Sequence, residues 1–251
     1  MVTTTDRAEA ITVIGAGRVG RSIAIAAGRA GLAVELRART DGLEGLVGTT
    51  VLLCVPDQEI APLAGRIGRR SGLPRLIGHT SGATRLDALA GSSSHGSFSL
   101  HPLQTVPDGE TDLGGCPAAV SGSDPRALDF AAGLAGALGM EPFPVSEADR
   151  AIYHAAASIA SNFLVALEET AAGLLGEIAV EDPRTVLAPL VGRSLQNWIE
   201  RGGAALTGPI ARGDTATVEL HRSALAERRP DLSDFYEALA LRTSALAGES
   251  R

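Results

Sequence analysis

The chain has 251 residues, and all 22 of its basic residues are arginine, because the sequence contains no lysine. This excludes a Schiff-base enzyme, a phosphate-binding loop that ends in Gly-Lys-Ser/Thr and an oxidoreductase with a lysine proton donor. A net charge of −7 argues against a general nucleic-acid-binding protein. A hydrophobic content of 45% is that of a globular protein with one large or two small cores.

The first ten residues and the two cysteines indicate a cytoplasmic protein. Residues 1–10 are polar and charged, and arginines interrupt the apolar run after them, so we expect neither a signal peptide nor a membrane span. Cys54 and Cys116 are far apart in the sequence and have no cluster of Cys or His beside them. We therefore expect two reduced thiols and no metal site.

Short β-like runs alternate with helical stretches as far as residue 146. The predicted strands are residues 11–14, 33–36, 51–55, 76–79, 97–100, 118–121 and 143–145, and the predicted helices are residues 18–28, 60–69 and 125–138. Alternation of this kind predicts an α/β fold with a doubly wound, largely parallel Rossmann-type sheet over residues 1–146.

The strand signals stop at residue 147, so residues 147–251 are predicted to form a smaller all-α domain. Residues 147–180 contain no proline and follow Ser146, a suitable N-cap, which predicts one long helix. Further helices are predicted to begin near Asp182-Pro183, Asp214 and Ser233 or Asp234, with a loop over residues 207–213.

A glycine-rich motif follows the first predicted strand and opens the first predicted helix. Its residues are Gly15, Ala16, Gly17, Arg18, Val19 and Gly20. In that context the pattern directs backbone N–H groups and a helix N-terminus at a pyrophosphate, which predicts a dinucleotide site. The alternative is a tight turn with close helix packing and no ligand.

The end of the second predicted strand indicates which dinucleotide is bound. An NAD site usually places a carboxylate there, whereas this chain has Arg37, Arg39 and Thr40. Guanidinium groups suit a 2′-phosphate, so we predict that NADPH is preferred over NADH. The alternative is that both arginines are solvated charges. Val55 and Pro56, at the end of the third predicted strand, are predicted to lie against the cofactor.

Two later strand ends concentrate polar residues, in the runs 78–82 and 99–105. Both ends should open onto the crevice where ligands collect in open α/β sheets. His101 precedes a proline and can exchange protons near neutrality, which makes it a candidate catalytic residue. A structural histidine is the alternative for His101, and it is the favoured interpretation for His79.

A polar stripe runs along the long helix, and an arginine lies in a later loop. His154, Ser158, Asn162 and Glu169 fall within about 80° of one another at 100° per residue, on an otherwise apolar helix. This stripe faces either the crevice or, alternatively, solvent or a second subunit. Tyr153 is a weaker candidate. Arg212 can bind a substrate carboxylate, although a turn role explains its surroundings equally well.

These residues resemble the 6-phosphogluconate dehydrogenase-like superfamily, which includes ketopantoate reductases, prephenate dehydrogenases and pyrroline-5-carboxylate reductases. The runs at residues 78–83, 99–105, 154–167 and 206–225 are similar to a bacterial branch of Rossmann-like oxidoreductases with an all-α C-terminal domain. The resemblance implies NADP binding and reduction of a small carbonyl or imine compound.

Single positions also resemble this superfamily. His101-Pro102 looks like the element that supplies the catalytic histidine of prephenate dehydrogenases, Ser81 looks like its hydroxyl partner, and His154 looks like a second active-site histidine. In ketopantoate reductases the corresponding helix carries a lysine a few residues before an asparagine. Here Ser158 and Asn162 occupy those places, so a lysine-type mechanism is out of reach.

The leading hypothesis is an NADPH-dependent reductase of a small carboxylate-bearing carbonyl compound such as a 2-oxo acid. His101 or His154 donates the proton, Ser81 and Asn162 position the oxygen, and Arg212 holds the carboxylate. A histidine acid predicts a reduction rate that declines as pH rises through about 6 to 8. The alternatives are an imine reductase and a non-catalytic NADP(H)-binding sensor or structural protein. Long apolar helices predict a homodimer through the helical domain.

Overall fold

A computed structural model describes residues 10–38, 40–44, 46, 50–69, 74–92 and 96–249 of the chain. The strands are β1 (Ile11–Ile14), β2 (Val34–Arg37), β3 (Thr50–Leu53), β4 (Leu76–His79), β5 (Ser97–Pro102), β6 (Pro117–Gly122) and β7 (Glu141–Pro144). The α-helices are α1 (Arg18–Arg29), α2 (Asp57–Gly68), α3 (Pro125–Ala137), α4 (Arg150–Ser158), α5 (Leu164–Glu177), α6 (Pro183–Arg201), α7 (Gly208–Arg212), α8 (Thr215–Arg228) and α9 (Ser233–Glu249). Short 3₁₀ segments occupy Leu86–Ser92, Gly202–Ala205 and Pro230–Leu232, and a π-helical turn occupies Ile159–Phe163.

The seven strands form one sheet in the order β2-β1-β3-β4-β5-β6-β7. Strands β1 to β5 are mutually parallel, β6 is antiparallel to β5, and β7 is parallel to β6. This arrangement confirms the predicted α/β fold with a doubly wound, mostly parallel sheet followed by helices. Chain order reverses at β1, since β2 lies on one side of it and β3 on the other, and a ligand crevice opens at such a point.

Both faces of the sheet are covered by apolar residues. All four residues of β1 and all four of β3 are buried. Leu52 packs in one core with residues of α1 and α3, whereas its neighbours Val51 and Leu53 pack in a second core with residues of α2. Successive side chains of a strand point to opposite faces, so one short apolar strand contributes to both layers.

The long helix predicted for residues 147–180 is present in three consecutive pieces. It begins at Arg150 rather than at residue 147, since the Ser146 hydroxyl accepts a hydrogen bond from the Asp149 amide and forms a turn before the helix. The π-helical turn at Ile159–Phe163 interrupts it, and α5 ends at Glu177 before Ala179, whose φ is +60°. The prediction of one uninterrupted helix is therefore wrong in this detail.

The chain divides into two compact units, Met1–Leu164 and Val165–Arg251. The first unit contains the sheet, α1 to α4 and the π-helical turn, so this division falls within the long helical run. The predicted domain boundary at residue 146 stays a prediction. In the described part of the second unit every regular element is helical. The predicted loop at residues 207–213 contains the short helix α7. None of the described helices is long and apolar enough to cross a membrane.

Candidate active site

The glycines of the loop after β1 have different surroundings. Gly15 has a φ of +117°, and a side chain there would overlap the carbonyl of Cys54. A side chain at Gly20 would overlap the carbonyl of Gly15, so this glycine lets α1 approach the loop closely. Beside Gly17, in contrast, nothing lies within 4 Å of the position that a Cβ would occupy. The loop is thus tightly packed on its inner side and open at Gly17.

Helix α1 begins with backbone N–H groups that receive no side-chain cap. Gly17 occupies the N-cap position, and no side-chain capping hydrogen bond is present there. The Arg21 Nε donates to the carbonyl of Ala16 at 2.9 Å and fixes the shape of the loop. Uncapped N–H groups at a helix N-terminus, beside an open glycine, suit a phosphate group. Residues 15–20 therefore fit the pyrophosphate of a dinucleotide.

Val55 and Pro56 follow β3 beside this loop. The Val55 side chain would lie 3.2 Å from a Cβ on Gly15, and Pro56 is the exposed N-cap residue of α2. Both therefore lie near the glycine loop, and their predicted contact with the cofactor stays a prediction. The neighbouring Cys54 packs against the core, and burial raises the pKa of its thiol to about 12, partly offset by a hydrogen bond with Thr80. Cys54 therefore stays a thiol, and a nucleophilic role does not fit it.

Arg37, predicted to bind a 2′-phosphate, has its guanidinium group engaged within the protein. Its Nε and Nη2 donate to the two carboxylate oxygens of Glu35, both at 2.9 Å. Its Nη1 donates to the carbonyls of Gly42 and Glu44. With four donated bonds and 13% of its side chain exposed, Arg37 is not poised for a phosphate. Thr40 is exposed at the end of the same segment, and Arg39 lies outside the described residues.

A cavity of about 840 Å³ lies within the first unit. It brings together five of the predicted site residues, namely Arg18, His101, His154, Ser158 and Asn162. Its lining also includes polar or aromatic residues that the sequence left out or ranked lower, namely Gln104, Thr105, Phe143, Tyr153 and Ser161. One cavity is therefore bordered by the start of α1, the end of β5 and one side of α4 with the π-helical turn that follows it.

His101 and Tyr153 form a hydrogen-bonded pair in this cavity. The distance from His101 Nδ1 to the Tyr153 Oη is 2.6 Å, and the two rings are nearly perpendicular with centroids 5.7 Å apart. Phe143 packs edge-on against the Tyr153 ring at 6.0 Å. His101 comes from β5, whereas Tyr153 lies on the first turns of α4. The helix thus delivers a phenol to the strand end, a contact for which sequence reasoning provided no signal.

The surroundings hold both members of this pair in their neutral forms. Burial, together with the electrostatic effects of His154 and Arg150, lowers the pKa of His101 to about 4, although Asp57 opposes the shift. Burial raises the pKa of Tyr153 to about 12, although Arg150 opposes it. At neutral pH the imidazole therefore carries one proton and the phenol keeps its own. The expected decline of the rate through pH 6 to 8 does not apply to His101.

Gly82 separates the two histidines of the cavity. A Cβ on Gly82 would lie 2.6 Å from the His154 Cδ2 and 3.0 Å from both Cε1 and Nε2 of His101. The two imidazole centroids are 6.1 Å apart. A Cβ contact of 2.6 Å is essentially never found in proteins, and one of 3.0 Å is unusually tight, so a side chain at residue 82 would displace the His154 ring and press on the His101 ring. Gly82 thereby sets the positions of His101 and His154 together.

Ser81 does not reach the cavity in the way the sequence suggests. Its hydroxyl lies 2.8 Å from the Asp57 carboxylate and 2.9 Å from the Thr84 hydroxyl. It also accepts hydrogen bonds from the amides of Ala83 and Thr84. These four partners occupy the hydroxyl and stabilise the turn that carries Gly82. The predicted contact of Ser81 with a substrate oxygen stays a prediction.

Arg150 is a buried cation beneath the site that the sequence analysis missed. Its Nη1 donates to the Ser99 hydroxyl at 2.6 Å and to the Ser121 hydroxyl at 3.1 Å, and its Nη2 donates to the carbonyl of Ser81. Glu147 lies 3.6 Å away as its counter-ion. A signal existed, because serines inside the apolar strands β5 and β6 need a hydrogen-bonding partner once they are buried.

Arg212 lies in the second unit, at the last residue of α7. Gly213 follows it with a φ of +74°, and Asp214 caps α8 by accepting a hydrogen bond from the Thr217 amide. The turn role considered for this segment is therefore present, and a role for Arg212 toward a substrate stays a prediction. Among the described residues, no three His, Cys, Asp or Glu side chains are grouped as metal ligands.

Comparison with known proteins places the chain in a family and supports its fold. Residues 116–243 match the family described as the domain of unknown function DUF2520, and the chain belongs to that family. A search of the curated proteins finds no significant match.

Solved structures share the fold over nearly the whole chain. A candidate NADP oxidoreductase from Bacteroides fragilis superposes with a TM-score of 0.79 at 23% identity, over 95% of this chain and 99% of that one. Protein TM1727 from Thermotoga maritima superposes with a TM-score of 0.76 at 20% identity, over 96% of this chain and 99% of that one. An NADP-bound pyrroline carboxylate reductase from Plasmodium falciparum superposes with a TM-score of 0.60 at 11% identity, over 96% of this chain and 99% of that one.

Proposed function

We propose that this protein is an NADPH-dependent oxidoreductase that reduces the carbonyl group of a small carboxylate-bearing compound, such as a 2-oxo acid. The observation that carries the proposal is the cavity itself. It extends from Arg18, where the helix of the glycine loop begins, to the His101–Tyr153 pair and the polar side of α4. The names of the similar structures, which include NADP oxidoreductases, support the same class of reaction.

The residues of the chain divide into those that hold the dinucleotide and those that surround the substrate. The loop at residues 15–20 binds the pyrophosphate, and Val55 and Pro56 border the rest of the cofactor. When bound, the reduced nicotinamide supplies a hydride to the substrate. His154, Ser158 and Asn162 offer hydrogen bonds to the substrate oxygen, and the His101–Tyr153 pair supplies the proton.

The charge of the cavity suits an anionic substrate. Arg18 is the one guanidinium among its described lining residues, and none of those residues is Asp or Glu. A carboxylate-bearing compound therefore meets no like charge in this lining.

Binding of the dinucleotide is the first test. Addition of NADPH should raise the melting temperature of the protein until the site is saturated, since a ligand that binds only the folded state stabilises it. If neither NADPH nor NADH has any effect, the dinucleotide proposal fails.

Turnover separates the proposed reaction from its alternatives. NADPH oxidation should be measured with a panel of 2-oxo acids and cyclic imines. An imine can arrive already protonated, so an imine reductase would keep most activity when both His101 and His154 are replaced by glutamine. Tight NADPH binding without turnover of any panel member would instead favour a non-catalytic sensor.

The guanidinium group of Arg37 already donates hydrogen bonds to the Glu35 carboxylate. The proposed preference for NADPH over NADH therefore depends on Arg39 and Thr40. Replacing Arg39 by glutamine should weaken NADPH binding about tenfold or more, the equivalent of about 1.4 kcal/mol, and leave NADH binding unchanged. Titration of the protein with each dinucleotide measures both affinities. Equal loss for NADPH and NADH would assign Arg39 a role other than recognition of the 2′-phosphate.

A further inference from the structure

We propose that Tyr153 is a catalytic residue whose phenol donates the proton to the substrate oxygen, and that His101 is a positioning residue acting through it. This inference rests on the proposed reductase function and adds the identity of the proton donor.

The geometry of the His101 ring carries the argument. Its Nδ1 lies 2.6 Å from the Tyr153 Oη, and its opposite edge, with Nε2 and Cε1, lies against Gly82. The Nδ1 is thus occupied by the phenol, and both rings line the cavity. Among the described residues, the phenol oxygen has His101 as its one hydrogen-bond partner. With the imidazole proton on Nδ1, Nε2 carries none, so the tyrosine is the member of the pair that has a proton to give to a substrate.

The charged groups around the pair favour this division of roles. Arg150 on α4, His154 on α4 and Asp57 on α2 are the charged or titratable neighbours that act on His101, and Arg150 also acts on Tyr153. Burial and the electrostatic effects of His154 and Arg150 lower the pKa of His101 to about 4, so a protonated His101 imidazole is scarce at neutral pH. The phenol, with a pKa raised to about 12, keeps its proton across the physiological range.

The arrangement requires one tautomer of His101. If Nδ1 carries the proton, the imidazole donates to the phenol oxygen and leaves the phenol O–H free for the substrate. If Nε2 carries it, the phenol O–H points at Nδ1 and cannot serve the substrate.

The proposed step balances in atoms and charge. The carbonyl carbon accepts a hydride from the reduced nicotinamide dinucleotide, which is thereby oxidised, and the C=O π bond breaks. The carbonyl oxygen takes the Tyr153 proton, so an O–H bond forms on the product and a tyrosinate remains. The His101 Nδ1–H and the positive charge of Arg150 stabilise that tyrosinate. A proton from water returns to the tyrosinate directly, so the phenol is restored and the imidazole keeps its neutral Nδ1–H form.

The first experiment needs no substrate. The chain has five histidines and two tyrosines, and His221 Nδ1 lies 2.9 Å from the Tyr236 Oη in a second, remote pair. In protein labelled with ¹⁵N-histidine, NMR should show His101 as the Nδ1–H tautomer. Tyr153→Phe should move the His101 resonances and leave those of His221, whereas the matched control Tyr236→Phe should do the reverse. An Nε2–H tautomer of His101 in the wild-type protein would overturn the proposal.

The second experiment uses any panel compound that the wild-type enzyme reduces. Tyr153→Phe should lower kcat by about 10² to 10⁴, the usual range for loss of a proton donor, with KM and NADPH affinity nearly unchanged. Tyr236→Phe should retain full activity. His101→Asn, which keeps a donor near the Nδ1 position, should retain more activity than His101→Leu. Where chemistry limits the rate, the wild-type profile should stay flat from pH 6 to 9.

The outcomes separate this inference from the function on which it rests. Full activity in Tyr153→Phe, or a wild-type rate that falls through pH 6 to 8, would contradict the tyrosine donor and leave the reductase proposal standing. Absence of NADPH binding by the wild-type protein would instead contradict the proposed function. Stabilisation of Tyr153→Phe by NADPH shows that the variant is folded. If the wild-type protein reduces no compound of the panel, the tautomer of His101 tests the proposal by itself.

Discussion

Gly15 and Gly17 belong to one sequence motif, but a glycine is needed at each position for a different reason. Gly15 needs a positive φ and has no room for a side chain beside Cys54, whereas Gly17 faces open space where a pyrophosphate would lie. Gly15→Ala should therefore lower the free energy of unfolding by at least about 2 kcal/mol. Gly17→Ala should change it by less than about 1 kcal/mol and weaken NADPH binding about tenfold or more.

Urea unfolding and NADPH titration of the two variants measure these effects side by side. Each variant serves as the control for the other, since both substitutions add one methyl group to the same loop. If Gly17→Ala bound NADPH as tightly as the wild-type protein, the open side of the loop would not be the pyrophosphate site.

Individual contacts were the least predictable part of the site. The loop residues, His101 and the polar stripe on α4 could be placed from strand ends and helical period, because those patterns are local. The engagement of Arg37 by Glu35 and of the Ser81 hydroxyl by Asp57 could not. The His101–Tyr153 contact joins residues 52 positions apart, and it depends on how α4 is set against β5.

At the scale of elements, Arg150 connects the beginning of α4 to three neighbouring parts of the sheet. It bonds Ser99 on β5, Ser121 on β6 and the carbonyl of Ser81 just beyond β4, and it is 2% exposed. Because β4, β5 and β6 are adjacent, a single guanidinium fixes the helix over the strand ends that carry the site. Desolvation of such a cation is offset by Glu147 and by these hydrogen bonds.

Replacing Arg150 by methionine should destabilise the protein and alter the site electrostatically. Loss of the buried cation removes a partner of the Ser99 hydroxyl and the Ser81 carbonyl, whereas Ser121 keeps the Val145 carbonyl and Glu147 keeps the Leu86 amide. Because Glu147 also loses its counter-ion, we expect a loss of about 3 kcal/mol in urea unfolding. Because the Arg150 charge lowers the pKa of His101, that pKa should rise in the variant. NMR titration measures it. An unchanged pKa would show that Arg150 does not act on His101, whatever the change in stability.

For the whole molecule, the fold was predictable because apolar strand runs and turn residues alternate along the first 146 positions. Each of the seven predicted strands is present, with ends displaced by at most two residues. The reversal of β6 could not be anticipated, since parallel and antiparallel strands of a covered sheet have similar composition. The π-helical turn was equally hidden, because its residues are ordinary helix formers.

Stability should fall as pH decreases because two histidines are held neutral. Burial, followed by the positive charge of Arg150, lowers the pKa of the fully buried His79 to about 4, and the pKa of His101 is lowered to a similar value. The unfolded chain binds these protons near pH 6.5. The contribution of each neutral histidine is therefore complete above pH 6.5 and is lost as pH falls from 6.5 toward 4.

Urea unfolding between pH 7.5 and 4.5 measures this loss, which for His79 is at most about 1.4 kcal/mol per pH unit. His79→Asn should flatten the dependence, because asparagine does not titrate. Direct NMR titration of His79 in the folded protein gives a second readout. A His79 pKa near 6.5 would contradict the prediction even if the variant failed to fold.

The second unit exposes apolar side chains to an extent that predicts a homodimer. Among its described residues only Val218 and Ala240 are buried hydrophobic residues, whereas Leu190, Trp198 and Ile199 on α6 are each more than 60% exposed. A helical unit with so small a core gains stability when a second copy covers this surface.

Trp198 is the one tryptophan of the chain, so its fluorescence reports on this surface alone. Sedimentation equilibrium should give a dimer, and dilution should shift the Trp198 emission to longer wavelength as the dimer separates. Leu190→Glu should produce a folded monomer, and the matched control Ile25→Glu, at an exposed apolar residue of α1 in the first unit, should remain dimeric. A wild-type protein that is monomeric at micromolar concentration, with Trp198 emission already at the wavelength of a solvated indole, would contradict the dimer.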